Sequence, residues 1–285
     1  MPRDIRELTD DPDAYAAELR ERWGGLLSYR YLGRHYDVMD TGETDNTVTL
    51  RRDMRDADGG VLLAVLGICS PEGGGMSDLE AVPNPVVWSV QVLCPGRDVR
   101  RIEVVSETLK RGRQFGYSRS RIVDADNPDR LLALTQGQGV SLGTPPAGLA
   151  KMAPRPLHVV DSPDLPPLWR VFGAARRPDG CWALPELTVE LASPDAALHI
   201  GPQFVAAETV AREAAGAAAG SDRLTGLSAQ VMFLARGKVG PFRLEADSAA
   251  ATGSMATARV LIYDEGNGDR PVTVAAYQFA VAGDR

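Results

Sequence analysis

The segment Asp58-Gly59-Gly60-Val61-Leu62-Leu63-Ala64-Val65-Leu66-Gly67-Ile68-Cys69 decides how this chain is read. After its two glycines it is apolar on every side, so as a helix it must be wrapped by other structure. Before it, at 46–52, Val48 and Leu50 alternate with Thr47, Thr49 and Arg51, which predicts a strand. Gly73 to Gly75 end the apolar run. Segments rich in β-branched and apolar residues then follow at 86–93, 99–108, 114–124 and 131–140. Turn material separates them: Pro95-Gly96-Arg97, Lys110-Arg111-Gly112 and Asp126-Asn127-Pro128-Asp129.

Seven prolines fall between Pro145 and Pro167, predicting an extended crossing segment. Beyond it the pattern returns. A strand is expected at 187–191, an Ala-rich helix at 201–219, and strands at 228–234, 242–251, 256–264 and 272–281. Ahead of the first half, Asp11 is placed to cap a helix that starts at Pro12. Tyr15, Leu19, Trp23 and Leu27 give that helix one apolar face.

The two halves match in detail. Ser89-Val90-Gln91-Val92-Leu93 parallels Ser228-Ala229-Gln230-Val231-Met232, and Arg101-Ile102-Glu103 parallels Arg243-Leu244-Glu245. Gly112 parallels Gly253, and Ile122-Val123-Asp124 parallels Ile262-Tyr263-Asp264. The offset stays at roughly 140 residues, which argues for a tandem duplication. A central helix wrapped by a curved antiparallel sheet is the hotdog arrangement. The expected fold class is therefore α+β, a tandem (double) hotdog whose sheets join edge to edge, with helices near 59–70 and 201–219. The expected division is a helical segment at 1–40, a first hotdog at 41–143, a Pro-rich linker at 144–170 and a second hotdog at 171–285.

A net charge of -7 argues against a nucleic-acid binder, which needs a broad positive field. Cys69, Cys94 and Cys181 are scattered, and His35, His158 and His199 are far apart, so neither a disulfide framework nor a metal site is expected. The N-terminus lacks a signal-like pattern and no segment is long and apolar enough to span a bilayer. A cytoplasmic location without a membrane partner is expected, and a homo-oligomer is compatible with the fold.

Three segments carry a family resemblance. Lys110-Arg111-Gly112-Arg113-Gln114-Phe115, followed by Ser118-Arg119, resembles the R-x-G-R-S-F segment in the first domain of TesB-like acyl-CoA thioesterases. Gly59-Gly60 is similar to the Gly-Gly that opens the central helix there, and Leu93-x-Pro95-Gly96 is similar to that family's FLRPG turn. The resemblance runs from about residue 40 to the end and is closer in the first half. It implies hydrolysis of acyl-CoA thioesters, with CoA as part of the substrate and no separate cofactor.

The resemblance also implies where the chemistry sits: a helix carboxylate in the second domain, nine residues after a histidine. His199 and Glu208 have that spacing. Phe204-Val205-Ala206-Ala207 would desolvate Glu208, as a base working near neutral pH requires. The alternative is a helix glutamate paired with Arg212, four residues on. The same spacing from Asp58 lands on Gly67, so one site per chain is expected. The family's glutamine on the last strand corresponds to Gln278. Its Ser-Leu-Asp-His segment is replaced by Gly226-Leu227-Ser228-Ala229, leaving Thr225 or Ser228 to supply the hydroxyl. His199 is read as structural. Between Arg97 and Arg121 eight basic residues outnumber three acidic ones; Arg111 and Arg113, flanking Gly112, are candidates for CoA phosphates, with Gly59 and Gly60 at the helix entrance. A noncatalytic acyl-CoA-binding or assembly protein is the main alternative. A hydratase ranks last, since Pro194 stands where its aspartate would be.

Overall fold

The computed structural model describes residues 2–33, 46–75, 81–149 and 157–282. The expected boundary at residue 40 and the linker stretch 150–156 lie outside these residues.

Asp11 accepts from the Ala14 amide and caps α1, Pro12–Gly25, as its sequence predicts. A short α2, Leu27–Leu32, follows and ends at Gly33 in the left-handed region. The first half then runs β1 (Thr47–Thr49), α3 (Leu63–Cys69), β2 (Pro83–Val92), β3 (Arg101–Arg111), β4 (Phe115–Asp124) and β5 (Asn127–Ser141). Among the described residues, 142–167 hold no helix or strand. The second half runs α4 (Leu168–Val171), β6 (Ala175–Arg176), β7 (Trp182–Leu184), α5 (Ile200–Ala219), β8 (Leu224–Phe233), β9 (Phe242–Thr252), β10 (Met255–Asp264) and β11 (Arg270–Val281).

All eleven strands form one antiparallel sheet in the order β1-β3-β4-β5-β2-β8-β11-β10-β9-β7-β6. The halves meet where β2 pairs with β8. There Ser89 faces Gln230, Val90 faces Ala229 and Gln91 faces Ser228. The repeated Ser-x-Gln triplet thus pairs with its own copy, reversed about Val90 and Ala229, which is the register of a pseudo-twofold axis. The two central helices pack on each other inside the curved sheet, where Phe204 of α5 lies against Trp88 and Phe233.

Two expectations need correction. The segment 187–191 is a turn: the Leu191 amide donates to Thr188 O, and the outer strands are β6 and β7. The first central helix is shorter than 59–70. Gly59 takes φ +84° and Val61 bridges to Arg55, so the helix begins only at Leu63. It ends at Cys69 because Pro71 has no amide hydrogen and cannot continue it.

Candidate active site

The fold builds two places where a carboxylate of one half approaches the central helix of the other, and they differ. The first surrounds Glu208. α5 is long because alanines fill it, Pro202 stands in its first turn where no donor is needed, and Gly220 closes it at φ +64°. Glu208 lies in its third turn and is 2% exposed. One oxygen accepts from the Ala64 amide in the first turn of α3 at 2.6 Å, and the other from Arg212 Nε at 2.8 Å. Arg212 also donates to Leu224 O at 2.8 Å, approaches Asp56 Oδ2 at 3.6 Å, and lies over the Phe279 ring. Burial pushes the Asp56 carboxyl up, with Arg212 opposing. Burial, reinforced by the charge of Glu208, pushes the Tyr277 phenol well above its ordinary value. The space is filled: a Cβ on Gly226 would come within 2.7 Å of Leu63 Cγ. Glu208, Arg212 and Asp56 form a buried ionic strut between the halves.

The other residues expected beside Glu208 are elsewhere. Tyr277 and Phe279 are buried on the Arg212 side of β11, with parallel rings 6.1 Å apart. Gln278, between them, therefore points to the outer face, where its Oε1 accepts from Ser228 Oγ at 3.0 Å. Thr225 accepts from Arg97 Nη2 at 3.2 Å, also outside. The expected site of Glu208, Gln278 and a hydroxyl is not assembled. Gly59 and Gly60 serve the strut: the Gly60 amide donates to Asp56 Oδ1 at 2.8 Å, and a Cβ there would lie 2.8 Å from Asp56 Oδ2. Arg111 and Arg113 are exposed at the far end of β3 from these glycines.

The second place was missed by the sequence reading. Past Cys69 the chain crosses the inner face of β4 and β5 over two glycines. A Cβ on Gly116 would lie 2.1 Å from Gly74 O, and one on Gly137 would lie 2.7 Å from Glu72 Cβ. Glu72 adopts φ +50°, a left-handed conformation uncommon for a residue with a side chain. This directs its carboxylate inward, where it is 5% exposed. Its Oε1 accepts from Ser120 Oγ at 2.6 Å and Thr135 Oγ1 at 2.8 Å, and Ser106 Oγ lies 2.9 Å from Ser120 Oγ. Its Oε2 has no hydrogen-bond partner among the described residues.

Glu72 lines a cavity of about 470 Å³ that is also lined by His199 and Ile200 at the N-terminus of α5 and by Trp23 and Tyr29. His199 caps that helix: its Nδ1 accepts from the Gly201 amide at 3.2 Å and lies 3.1 Å from Ser28 Oγ. Burial, with Arg236 adding to it and Asp195 opposing, pushes the His199 pKa down to about 3, so the ring is neutral. Burial works to raise the Asp195 carboxyl, but Arg236 grips it at 2.8 and 2.6 Å and holds it well below the usual range. The signal for Glu72 lay in the choice of origin. Leu62, not Asp58, precedes the first turn of α3 as His199 precedes that of α5. Nine residues from Leu62 is Pro71, next to Glu72.

A central helix in each half, one continuous antiparallel sheet and a pseudo-twofold seam define a double hotdog. No family model and no curated protein matches the chain. Among solved structures, a tesB protein of Mycobacterium avium subsp. paratuberculosis is 14% identical, with a TM-score of 0.54 over 83% of this chain and 93% of that one. An acyl-CoA thioesterase II, TesB2, of Mycobacterium marinum is 14% identical, with a TM-score of 0.53 over 84% and 94%. A hot dog fold protein of unknown function from Alicyclobacillus acidocaldarius is 7% identical, with a TM-score of 0.50 over 90% and 98%. The chain has the TesB-like thioesterase fold. Among the described residues no helix is long and apolar enough to cross a membrane.

Proposed function

We propose that the protein hydrolyses acyl thioesters, with acyl-CoA as the substrate class, at Glu72 rather than Glu208. One observation carries this reading: one cavity is lined both by a carboxylate with an oxygen that has no hydrogen-bond partner among the described residues and by His199 and Ile200 at the positive end of a 20-residue helix. A thioester carbonyl set between them meets both requirements of the reaction. Its oxygen gains negative charge in the tetrahedral intermediate, and the helix N-terminus favours that charge. Glu72 accepts a proton from water as the water oxygen attacks the carbonyl carbon. The C–S bond then breaks, and the departing thiolate takes that proton, giving the free acid and the CoA thiol. Ser120 and Thr135 hold the carboxylate in place by its other oxygen. Arg111 and Arg113, at the end of β3 near the strand positions that line the cavity, would meet CoA phosphates.

The test is hydrolysis of acyl-CoAs of graded length, followed with a thiol reagent. Glu72→Gln should lower turnover by about a hundredfold or more, the scale of a lost general base. Glu208→Gln should keep turnover in whatever fraction remains folded. Equal turnover by wild type and Glu72→Gln rejects the assignment. Loss in Glu208→Gln at unchanged melting temperature returns the chemistry to the second half.

A further inference from the structure

Three hydroxyls stand in one row across the sheet at Glu72. Ser106 of β3 pairs with Ser120 of β4, and Ser120 pairs with Thr135 of β5. Residues directly opposite each other share one face of a sheet, here the face that holds Glu72. Ser120 and Thr135 are buried, whereas Ser106 is exposed. The row thus runs from a buried carboxylate to water. Its hydrogen bonds have a direction. Ser120 donates its one proton to Glu72 Oε1 at 2.6 Å, so Ser106 is the donor in the 2.9 Å contact between the two serines.

The second half lacks the row. The positions 140 residues on, Ala246, Val260 and Ala275, pair with one another in the same way and carry no hydroxyl. The sheet itself therefore does not require these groups; they stand in the half that presents Glu72 to the cavity. Ser120 and Thr135 hold the carboxylate directly. Ser106 touches Ser120 instead, one hydroxyl further out.

Thioester hydrolysis leaves a proton to be removed. Of the two hydrogens of water, one ends on the CoA thiol and the other on a carboxylic acid that ionises well below neutral pH. We infer that Ser120 and Ser106 relay this proton from Glu72 to solvent. This rests on the reading of Glu72 as the base. The product acid gives its proton to Glu72, and the two hydroxyls turn. Glu72 passes the proton to Ser120 Oγ, Ser120 passes its own to Ser106 Oγ, and Ser106 passes its own to water or a buffer base. Glu72 ends as the carboxylate and both serines end neutral.

The experiment compares wild type and Ser106→Ala on one acyl-CoA, in dilute buffer and in concentrated imidazole at the same pH and ionic strength. Proton release follows C–S cleavage, so loss of the relay slows regeneration of the carboxylate and spares the first turnover. In dilute buffer Ser106→Ala should lower kcat by about tenfold to a hundredfold. It should leave kcat/KM within about twofold of wild type. Concentrated imidazole takes the proton directly and should restore most of kcat. An unchanged kcat in dilute buffer overturns the relay and leaves Glu72 as the base. So does an equal fall in kcat and kcat/KM that imidazole does not restore, which gives Ser106 a holding role. Wild-type turnover by Glu72→Gln, or no turnover by wild type, overturns both readings. Should Ser106→Ala fail to fold, Ser106→Val, a residue favoured in strands, gives the same comparison.

Discussion

The two halves of the molecule share a sheet pattern and differ in how far the central helix runs. α5 continues for 20 residues and packs on β10 and β11, where Ala258, Val260 and Ala275 are buried. α3 stops after seven residues, and on the corresponding face of β4 and β5 Ser118 and Ser120 line a cavity while Thr135 is buried against Glu72. Helix length therefore decides what becomes of each carboxylate. Within an unbroken helix, Glu208 has Arg212 one turn on and forms an ion pair with it. Just past a helix end, Glu72 has no such cation among the described residues and is held through one oxygen by the hydroxyls of Ser120 and Thr135.

That contrast can be broken most forcefully at Arg212. Arg212→Met would leave Glu208 and Asp56 buried without their cation, and stability measured by urea unfolding should fall by about 3–5 kcal/mol. A loss below about 1 kcal/mol would mean the strut does not balance those charges. The other helix start carries a pH signature. His199, neutral when folded, has its pKa at about 3 against about 6.5 unfolded. Between these values the unfolded chain binds the extra proton, so this contribution is complete above pH 6.5 and is lost as pH falls, at up to about 1.4 kcal/mol per unit. His199→Asn keeps a capping side chain and should remove that component of the slope; an unchanged slope would show that His199 is charged in the fold.

Smaller effects sharpen the comparison. Sequence alone suggests that Gly67→Ala stabilises a helix by up to about 1 kcal/mol. The structure puts a Cβ there 2.9 Å from the Phe204 ring, so the expected result is a loss of about 1–3 kcal/mol, read as a lower melting temperature. Gln278→Ala, on the outer face, should shift stability by no more than about 0.5 kcal/mol. It should also leave thioester hydrolysis unchanged, and a large drop would bring β11's outer face back into the chemistry.

The strands were legible because alternation and turn residues mark them locally, and the duplication because the halves kept matching residues at matching places. The site was harder to read because its position depends on a helix end. Counting from Asp58 assumed that the helix began at the glycines, but Gly59 and Gly60 build the loop around Asp56, and α3 starts after them. Glu72 sits in a turn, where no periodicity points to it. Gln278 could have been placed by its neighbours: apolar Tyr277 and Phe279 on either side put it on the opposite face of the strand.

The seam between the halves has a consequence for synthesis. β2 lies between β5 and β8, and β8 is made some 140 residues after it. Until then the first half has an open edge at Val87 to Gln91, five residues without a charge, able to capture any passing strand. Pro83 and Pro85, in the part of β2 that β8 does not pair, blunt only one end of that edge. A chain halted before Leu224 would expose this template, so the second half acts as the first half's own shield against aggregation on the ribosome.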